Sequence, residues 1–213
     1  MNDTIGGRRA ALRARYPDWE PVTLSGFLDR SAEKYGDPSP PAGAEPSPIR
    51  RSEILIGMSS LRYSESVVVA RSPDDLYDMV SDVTRMGEWS PVCKACWWDE
   101  GDEPRPGAWF TGRNELPERT WETRSQVVVA DRGREFAFLV GGAWVRWGYA
   151  FAAVDGGTRV TESWEFLPAG ITRFHDRFGG DAEAQIANRT EAAHRGIPVT
   201  LAALKKAAEA DRR

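Results

Sequence analysis

The chain has 213 residues, a formal net charge of −4 and 41% hydrophobic residues. This hydrophobic content is enough for one sizeable core plus an extension. The acidic balance argues against a nucleic-acid partner, which would need a basic face. No run of about 18 apolar residues could span a bilayer, and the N-terminus lacks the apolar core of a signal peptide. We therefore expect no integral membrane segment and a cytoplasmic location.

Residues 1–57 differ in character from the rest and are predicted to form an N-terminal extension, followed by one domain over residues 58–213. Residues 37–48, DPSPPAGAEPSP, form a Pro-rich linker that is expected to stay extended. Residues 16–37, YPDWEPVTLSGFLDRSAEKYGD, resemble the opening segment of acyl-activating enzymes. No ligase activity is expected from that segment alone. The extension is interpreted as a docking arm for a protein partner, a late fusion, or upstream sequence ahead of a start at Met58.

A strand followed by a helix pair is predicted between Val67 and Pro91. The three valines that open this stretch favour a buried strand. Ser72 is a typical N-cap, Pro73 suits the first helical position, and the two aspartates that follow place negative charge at the positive end of the helix dipole. One apolar face then continues at helical spacing: Leu76, Met79, Val80 and Val83. We expect a short second helical turn to end at Trp89.

Six further strands are predicted between Gly, Pro and Asp turn signals: 92–100, 108–116, 120–131, 135–141, 143–154 and 158–167. Their short connections favour an antiparallel meander. The turns at 131–133, 141–142 and 155–157 each contain the glycine that a positive φ requires. With the strand before the first helix, the sheet has seven members.

Alternation along the strands assigns an inner face to this sheet. The residues expected on it are, strand by strand, Phe110, Gly112 and Asn114; Trp121, Thr123, Ser125, Val127 and Val129; Phe136 and Phe138; Val145, Trp147, Tyr149 and Phe151; and Val160, Glu162, Trp164 and Phe166. Eight of the nine tryptophans lie between Trp89 and Trp164, a concentration typical of a core or a pocket wall. Glu162 is therefore a carboxylate on an apolar face.

After Pro168 the segment AGITRFHDRFGG is expected to be a polar, glycine-containing connection, and a long terminal helix capped by Asp181 follows it. The apolar stripe of this helix is Ile186, Thr190, Ala193, Ile197, Leu201, Leu204 and Ala208. Pro198 lies inside the stripe and is expected to kink the helix, because proline removes a backbone hydrogen bond. A helix of about 30 residues is long enough to cross a curved sheet.

Three segments resemble the polyketide cyclase/dehydrase and lipid-transport branch of the START-like superfamily (SRPBCC): VVVARSPDDLYDMVSDVTRMGEWSP, FTGRNELPERTWETRSQVVVAD and GGTRVTESWEF. The resemblance covers residues 61–210. It implies an α+β helix-grip fold, in which a seven-stranded curved antiparallel sheet wraps around a long C-terminal helix and two short helices follow the first strand. It also implies a cavity between sheet and helix. The superfamily contains carriers, cyclases and hormone receptors, so the fold alone does not assign chemistry.

With this fold, the inner face is expected to line a ligand cavity, although the rings alone are also compatible with a filled core. The predicted ligand-binding residues are Trp89, Phe110, Trp121, Thr123, Ser125, Phe138, Trp147, Trp164, His175, Ile197 and Leu201. Of these, His175 is placed at the pocket mouth. The expected partner is a hydrophobic small molecule of polyketide or lipid type.

Glu162 is the candidate acid or base. A carboxylate removed from water either rises in pKa and carries protons or pairs with a cation, which would be Arg146 or Arg113 if the face assignment is off by one. As a base it would abstract a proton α to a ketone, while Asn114 and Tyr149 donate to the enolate oxygen. This predicts a cyclase or dehydratase. The alternatives are a non-catalytic lipid or metabolite carrier and a regulatory module that binds a protein through the outer sheet face.

The spacing Cys93-Lys94-Ala95-Cys96 is that of a redox or zinc pair. Residues three apart on a strand point to opposite faces, however, and no second cysteine pair or histidine cluster completes a tetrahedral site. The sequence therefore predicts two reduced thiols, no metal site and no cofactor.

Overall fold

The computed structural model describes residues 61–210. The predictions for residues 1–57, including the Pro-rich linker and the resemblance to acyl-activating enzymes, lie outside the described residues. The elements are, in chain order, β1 (Arg62–Val69), α1 (Pro73–Ser81), a 3-10 helix (Val83–Glu88), β2 (Cys93–Trp98), β3 (Trp109–Leu116), β4 (Arg119–Asp131), β5 (Glu135–Val140), β6 (Val145–Val154), β7 (Gly157–Phe166), α2 (Pro168–Phe178), a short 3-10 turn (Gly179–Asp181) and α3 (Ala182–Ala210).

The seven strands form one antiparallel sheet in the order β1-β7-β6-β5-β4-β3-β2. Strands β2 to β7 follow one another as a meander, and β1 pairs with β7 at the far edge. The long helix α3 packs against β1 and β7. The predicted helix-grip architecture is therefore confirmed. Within residues 61–210, no helix is both long and apolar enough to cross a membrane.

Helix α1 starts where its sequence predicts. The Ser72 Oγ accepts a hydrogen bond from the backbone N–H of Asp75 at 3.2 Å, which satisfies one of the free donors of the first turn. On the buried side of this helix, the Tyr77 ring lies edge-on to Phe136 of β5 and to Phe151 of β6. The capped helix is thereby fixed over the inner face of these two strands.

The inner face of β7 is the predicted one, since Val160, Glu162, Trp164 and Phe166 are each at most 3% exposed. In β4 the prediction is wrong at one position. A register shift between Val127 and Val129 marks a β-bulge, and beyond it Ala130, not Val129, lies opposite Phe136. A bulge adds one residue to a strand and therefore reverses the alternation after it.

The segment after Pro168 is a helix, α2, and not the polar connection that was expected. The Phe174 ring packs edge-on against Phe166 of β7, with centroids 5.0 Å apart, and lies 5.2 Å from the ring of Phe178. Gly170 lies so close to the Trp144 carbonyl that a Cβ there would come within 2.4 Å of its oxygen. The glycines and charged residues of this segment do not indicate a helix in the sequence. Packing of the rings on the sheet stabilises it.

Helix α3 is one continuous helix with Pro198 inside it. Its predicted stripe is buried apart from Thr190, which is half-buried, and Thr200 joins the buried side. Near the end of the helix, the Arg71 Nε donates a hydrogen bond to the Ala208 carbonyl at 2.8 Å. The helix is thus fastened beside β1, and the core lies between it and the inner face of the sheet.

Candidate functional site

The hairpin of β6 and β7 brings a phenol and a carboxyl group together inside the domain. The two strands are joined through Asp155 and Gly156, with Val154 opposite Gly157. Counting back from this turn places Tyr149 directly opposite Glu162. Both side chains are buried, at 4% and 3% exposure. The two-residue turn fixes the register of the hairpin. The pairing of Tyr149 with Glu162 can therefore be predicted from the sequence through the turn length, whereas alternation predicts only the face of each residue.

The Tyr149 Oη donates a hydrogen bond to the Glu162 Oε1 at 2.9 Å. The second carboxyl oxygen, Oε2, is buried and has no hydrogen-bond partner in the described part of the chain. The cation alternative does not apply, because Arg146 pairs with Glu135 and Arg113 with Glu115.

Burial raises the pKa of Glu162 to about 8, because an apolar surrounding disfavours the charged form, and the hydrogen bond from Tyr149 lowers that pKa only in part. Burial, followed by the negative charge of Glu162, also raises the pKa of Tyr149 well above its ordinary value. At neutral pH Glu162 is therefore mainly a neutral acid. This is the condition under which a carboxyl group can donate a proton to a ligand.

Aromatic rings surround this pair. Phe136 lies opposite Tyr149 on β5 and is itself fully buried. The ring of Phe138 lies 6.1 Å from that of Phe136 and 5.0 Å from that of Phe110, centroid to centroid. Aromatic pairs at these separations and angles stabilise the fold by more than the burial of their surface alone. Together they form a row of buried rings that begins beside Tyr149 and continues across the inner face to β3.

Asn114 does not join Glu162 and Tyr149. It lies on β3, with three strands between it and β7 in the sheet. Its Nδ2 donates hydrogen bonds to the Gly112 carbonyl and to the Thr123 Oγ1, both at 3.2 Å. Its amide is thus committed within the β3–β4 hairpin. A donor role toward an enolate stays a prediction for Asn114, and the geometry gives it no support.

The other predicted ligand-binding residues differ in exposure. The buried ones are Trp89, Phe110, Ser125, Phe138, Trp164, Ile197 and Leu201, and the half-buried ones are Trp121, Thr123 and Trp147. The Arg119 guanidinium lies over the Trp121 ring at 4.5 Å. His175 is exposed on α2, where its Nε2 lies 3.2 Å from the Glu183 Oε1. The structure therefore places His175 on the surface, four of the predicted rings in the interior and the rings of Trp121 and Trp147 at its margin.

The prediction that Cys93 and Cys96 point to opposite faces is wrong. A register shift at Lys94 marks a bulge in β2 and puts both cysteines on the inner face, with their sulfur atoms 3.2 Å apart. The hydrogen bond from Cys93 and burial raise the pKa of the Cys96 thiol well above its ordinary value. Both thiols are free and buried. Across residues 61–210, no three side chains of His, Cys, Asp or Glu converge as a metal site.

Two open pockets lie elsewhere on the domain. One of about 320 Å³ is bordered by α1 and the end of α3, with Arg71, Asp78 and Ala208 in its walls. The other, about 380 Å³, lies over the β1, β7 and β6 strands and includes Trp164. Neither is lined by Glu162 or Tyr149. Because Glu162 is only 3% exposed, a ligand reaches it only if neighbouring side chains move.

A family model described as polyketide cyclase / dehydrase and lipid transport matches residues 60–209. The match spans well over half of the chain, so the chain belongs to this family. The predicted resemblance is thereby confirmed, and the domain is of a ligand-binding type. No match was found among curated proteins.

Solved structures show the same fold. The solution NMR structure of the Polyketide_cyc-like protein Cgl2372 from Corynebacterium glutamicum is 48% identical, covers 71% of this chain and 93% of that chain, and has a TM-score of 0.55. Protein NE0264 from Nitrosomonas europaea is 15% identical over 72% of this chain and 97% of that one, with a TM-score of 0.54. The di-domain ARO/CYC StfQ from the steffimycin biosynthetic pathway is 15% identical over 74% of this chain and 54% of its own, with a TM-score of 0.54. The last two show the fold alone.

Proposed function

We propose that the domain binds a hydrophobic small molecule bearing a ketone between the sheet and α3, and that Glu162 exchanges protons with it. The observation that carries this proposal is the buried Glu162, which is held by Tyr149 through Oε1 and has no partner at Oε2 among residues 61–210. An unsatisfied buried carboxyl oxygen is costly, and such costs are typical of functional sites.

The two carboxyl oxygens of Glu162 have different roles in this proposal. Since Oε1 already accepts from Tyr149, the proton of the neutral acid belongs on Oε2, where it is available to a ligand oxygen. In that form Glu162 acts as a general acid toward a carbonyl or a departing hydroxyl group. With a pKa of about 8, about a tenth of the molecules carry the carboxylate at pH 7. That fraction abstracts a proton α to the ketone, which is the first step of an aldol cyclisation or dehydration.

Membership of the family supports the substrate class. Its description joins polyketide cyclases and dehydrases with lipid transport, and one structural neighbour is an ARO/CYC protein. The ring-lined interior suits a flat, apolar molecule. Neither observation separates carriage from catalysis, so the proposal of chemistry rests on Glu162.

A non-catalytic carrier is the second candidate, and one observation favours it. The Asn114 amide is engaged within its own hairpin, so Tyr149 is the one donor that the interior brings to Glu162 in the described residues. With Tyr149 committed to the carboxyl group, no further side chain there is placed to stabilise an enolate oxygen. A carrier needs only the ring-lined interior and the movement that opens it.

Hydrogen–deuterium exchange of 2-tetralone tests the proposal. This bicyclic ketone has acidic α-protons, and their exchange with D₂O is followed by proton NMR. We expect the wild-type protein to accelerate the exchange, with a rate that rises with pH and levels off above about 8, as the carboxylate form accumulates. Glu162→Gln should reduce the rate to the uncatalysed one, because an amide cannot accept the proton.

Glu165→Gln is the matched control, because Glu165 lies on the outer face of the same strand and its substitution should leave the exchange rate unchanged. Binding is measured separately, as the rise in melting temperature caused by 2-tetralone. Equal exchange rates for wild type and Glu162→Gln, with the rise in melting temperature retained, would overturn the proposed chemistry and favour a carrier. No rise in either protein would count against binding of this class of ketone.

A further inference from the structure

Three sulfur atoms converge at one point of the inner face. The bulge in β2 turns Cys93 and Cys96 to the same side, with their Sγ atoms 3.2 Å apart. The Sδ of Met86, from the 3-10 helix that precedes β2, lies 3.7 Å from the Cys96 Sγ. The two cysteines are each 6% exposed, and Met86 is half-buried. Nothing in the proposed ketone chemistry uses these atoms.

The surrounding backbone holds this sulfur cluster, defined as Cys93, Cys96 and Met86, in place. The Ser90 Oγ accepts a hydrogen bond from the backbone N–H of Cys93 at 2.9 Å. This bond holds the backbone just before the bulge. On the neighbouring strand, Gly112 lies under both cysteines. A Cβ at Gly112 would lie 3.2 Å from one sulfur and 3.3 Å from the other, so the absence of a side chain there leaves room for the pair.

We propose that Cys93, Cys96 and Met86 form a binding site for a soft monovalent metal ion, of which Cu(I) is the representative. Two thiolates and one thioether are a donor set that selects soft cations. Metal–sulfur bonds of about 2.3 Å would place the ligand sulfurs about 4 Å apart in a three-coordinate site, so the cysteine pair needs to open by less than about 1 Å. Met86 belongs to a different element and can adjust to the ion.

Binding proceeds without electron transfer. Each cysteine loses its proton as a Cu–S bond forms, the Met86 sulfur donates a lone pair, and two protons leave for each Cu(I) bound. The resulting complex carries one negative charge. The two cysteines are almost fully buried, so two of the three donor atoms are shielded from solvent.

Anaerobic competition with the chromophoric chelator bicinchoninate tests the site. Cu(I) is supplied with ascorbate as reductant, and the copper kept by the protein is counted after desalting. We expect the wild type to keep one equivalent, and Cys93→Ser and Cys96→Ser each to lose it to the chelator. Met86→Leu should release copper at a lower chelator concentration than the wild type does.

Met79→Leu is the control for Met86→Leu, since Met79 is a buried methionine on α1 outside the sulfur cluster, and circular dichroism reports whether each variant folds. Wild-type protein that keeps no more Cu(I) than the Cys93→Ser, Cys96→Ser double variant would overturn the site. Identical behaviour of Met86→Leu and Met79→Leu would overturn the thioether as third ligand. Copper retention and exchange of 2-tetralone are separate measurements on the wild-type protein, so either proposal can fail while the other stands.

Discussion

The two faces of β7 place their carboxyl groups in different environments. On the outer face, Glu165 is partly exposed and forms an ion pair with Arg62 at 2.6 Å. On the inner face, Glu162 is 3% exposed, and within the described part of the chain its hydrogen-bond partner is the hydroxyl group of Tyr149. The two residues are three positions apart on one regular strand. The strand alternation therefore separates a carboxylate that keeps water and a cation from one that has neither.

The difference shows that the face, and not the residue type, decides whether a carboxyl group of β7 is exposed to water and beside a cation. An ionised carboxylate loses several kcal/mol of hydration when it is buried without a cation. A hydrogen bond from one phenol is worth about 1.5–3 kcal/mol to a charged acceptor and does not offset that loss. Glu162 therefore keeps its proton up to about pH 8, and this is the property on which the proposed chemistry depends.

Of the substitutions considered, Glu162→Gln should change the pH dependence of the free energy of unfolding the most. The folded-state pKa of Glu162 is raised to about 8 from an ordinary 4.5, so between these values the folded protein holds a proton that the unfolded chain has lost. The free energy of unfolding of the wild type should then fall by about 1.4 kcal/mol for each pH unit across that window. Glutamine keeps the shape and still accepts from Tyr149, but does not titrate, so the variant should lose this fall and be the more stable protein above about pH 8. Urea unfolding across the window measures it.

The control for this series is Glu165→Gln, which should keep the wild-type decline because Glu162 is untouched. Parallel pH profiles for wild type and Glu162→Gln would contradict the account, since they would mean that Glu162 takes no proton on folding.

Tyr149→Phe should have a smaller effect. It leaves the Glu162 Oε1 buried without a donor, which costs about 1–3 kcal/mol of unfolding free energy, and it should raise the pKa of Glu162 further, because the lost hydrogen bond favoured the charged form. Tyr63→Phe is the matched control. The Tyr63 Oη donates to Glu65 at 2.6 Å in an exposed position, where water replaces it. Urea midpoints that fall equally in both variants would contradict the role given to Tyr149.

Most of this site follows from the sequence where strands are regular. In β7 no bulge interrupts the alternation, so the inward direction of Glu162 is predicted correctly. The partner of Glu162 follows from the two-residue turn of the hairpin, which pairs Tyr149 with it. The pKa of Glu162 does not follow, because it depends on whether rings or water surround the carboxyl group.

The sequence fails where the alternation is interrupted. The bulges at Lys94 and between Val127 and Val129 contain no glycine or proline that would indicate them in the sequence. Each bulge reverses the assignment of side chains to the inner and outer face beyond it. The first of these hid the sulfur cluster, whose third member, Met86, comes from a different element. The sequence does not indicate helix α2 for another reason, since its stability comes from rings such as Phe174 that pack on β7 and not from local propensity.

A carbon-13 NMR titration of the glutamate side-chain carboxyl groups tests the central claim most directly. We predict one carboxyl signal in the wild-type protein that moves with a midpoint near pH 8 and is missing from Glu162→Gln, but present in Glu165→Gln. If the signal that disappears in Glu162→Gln instead titrates near 4.5, the ordinary value for glutamate, then Glu162 is ionised at neutral pH and the proposed acid–base role is wrong.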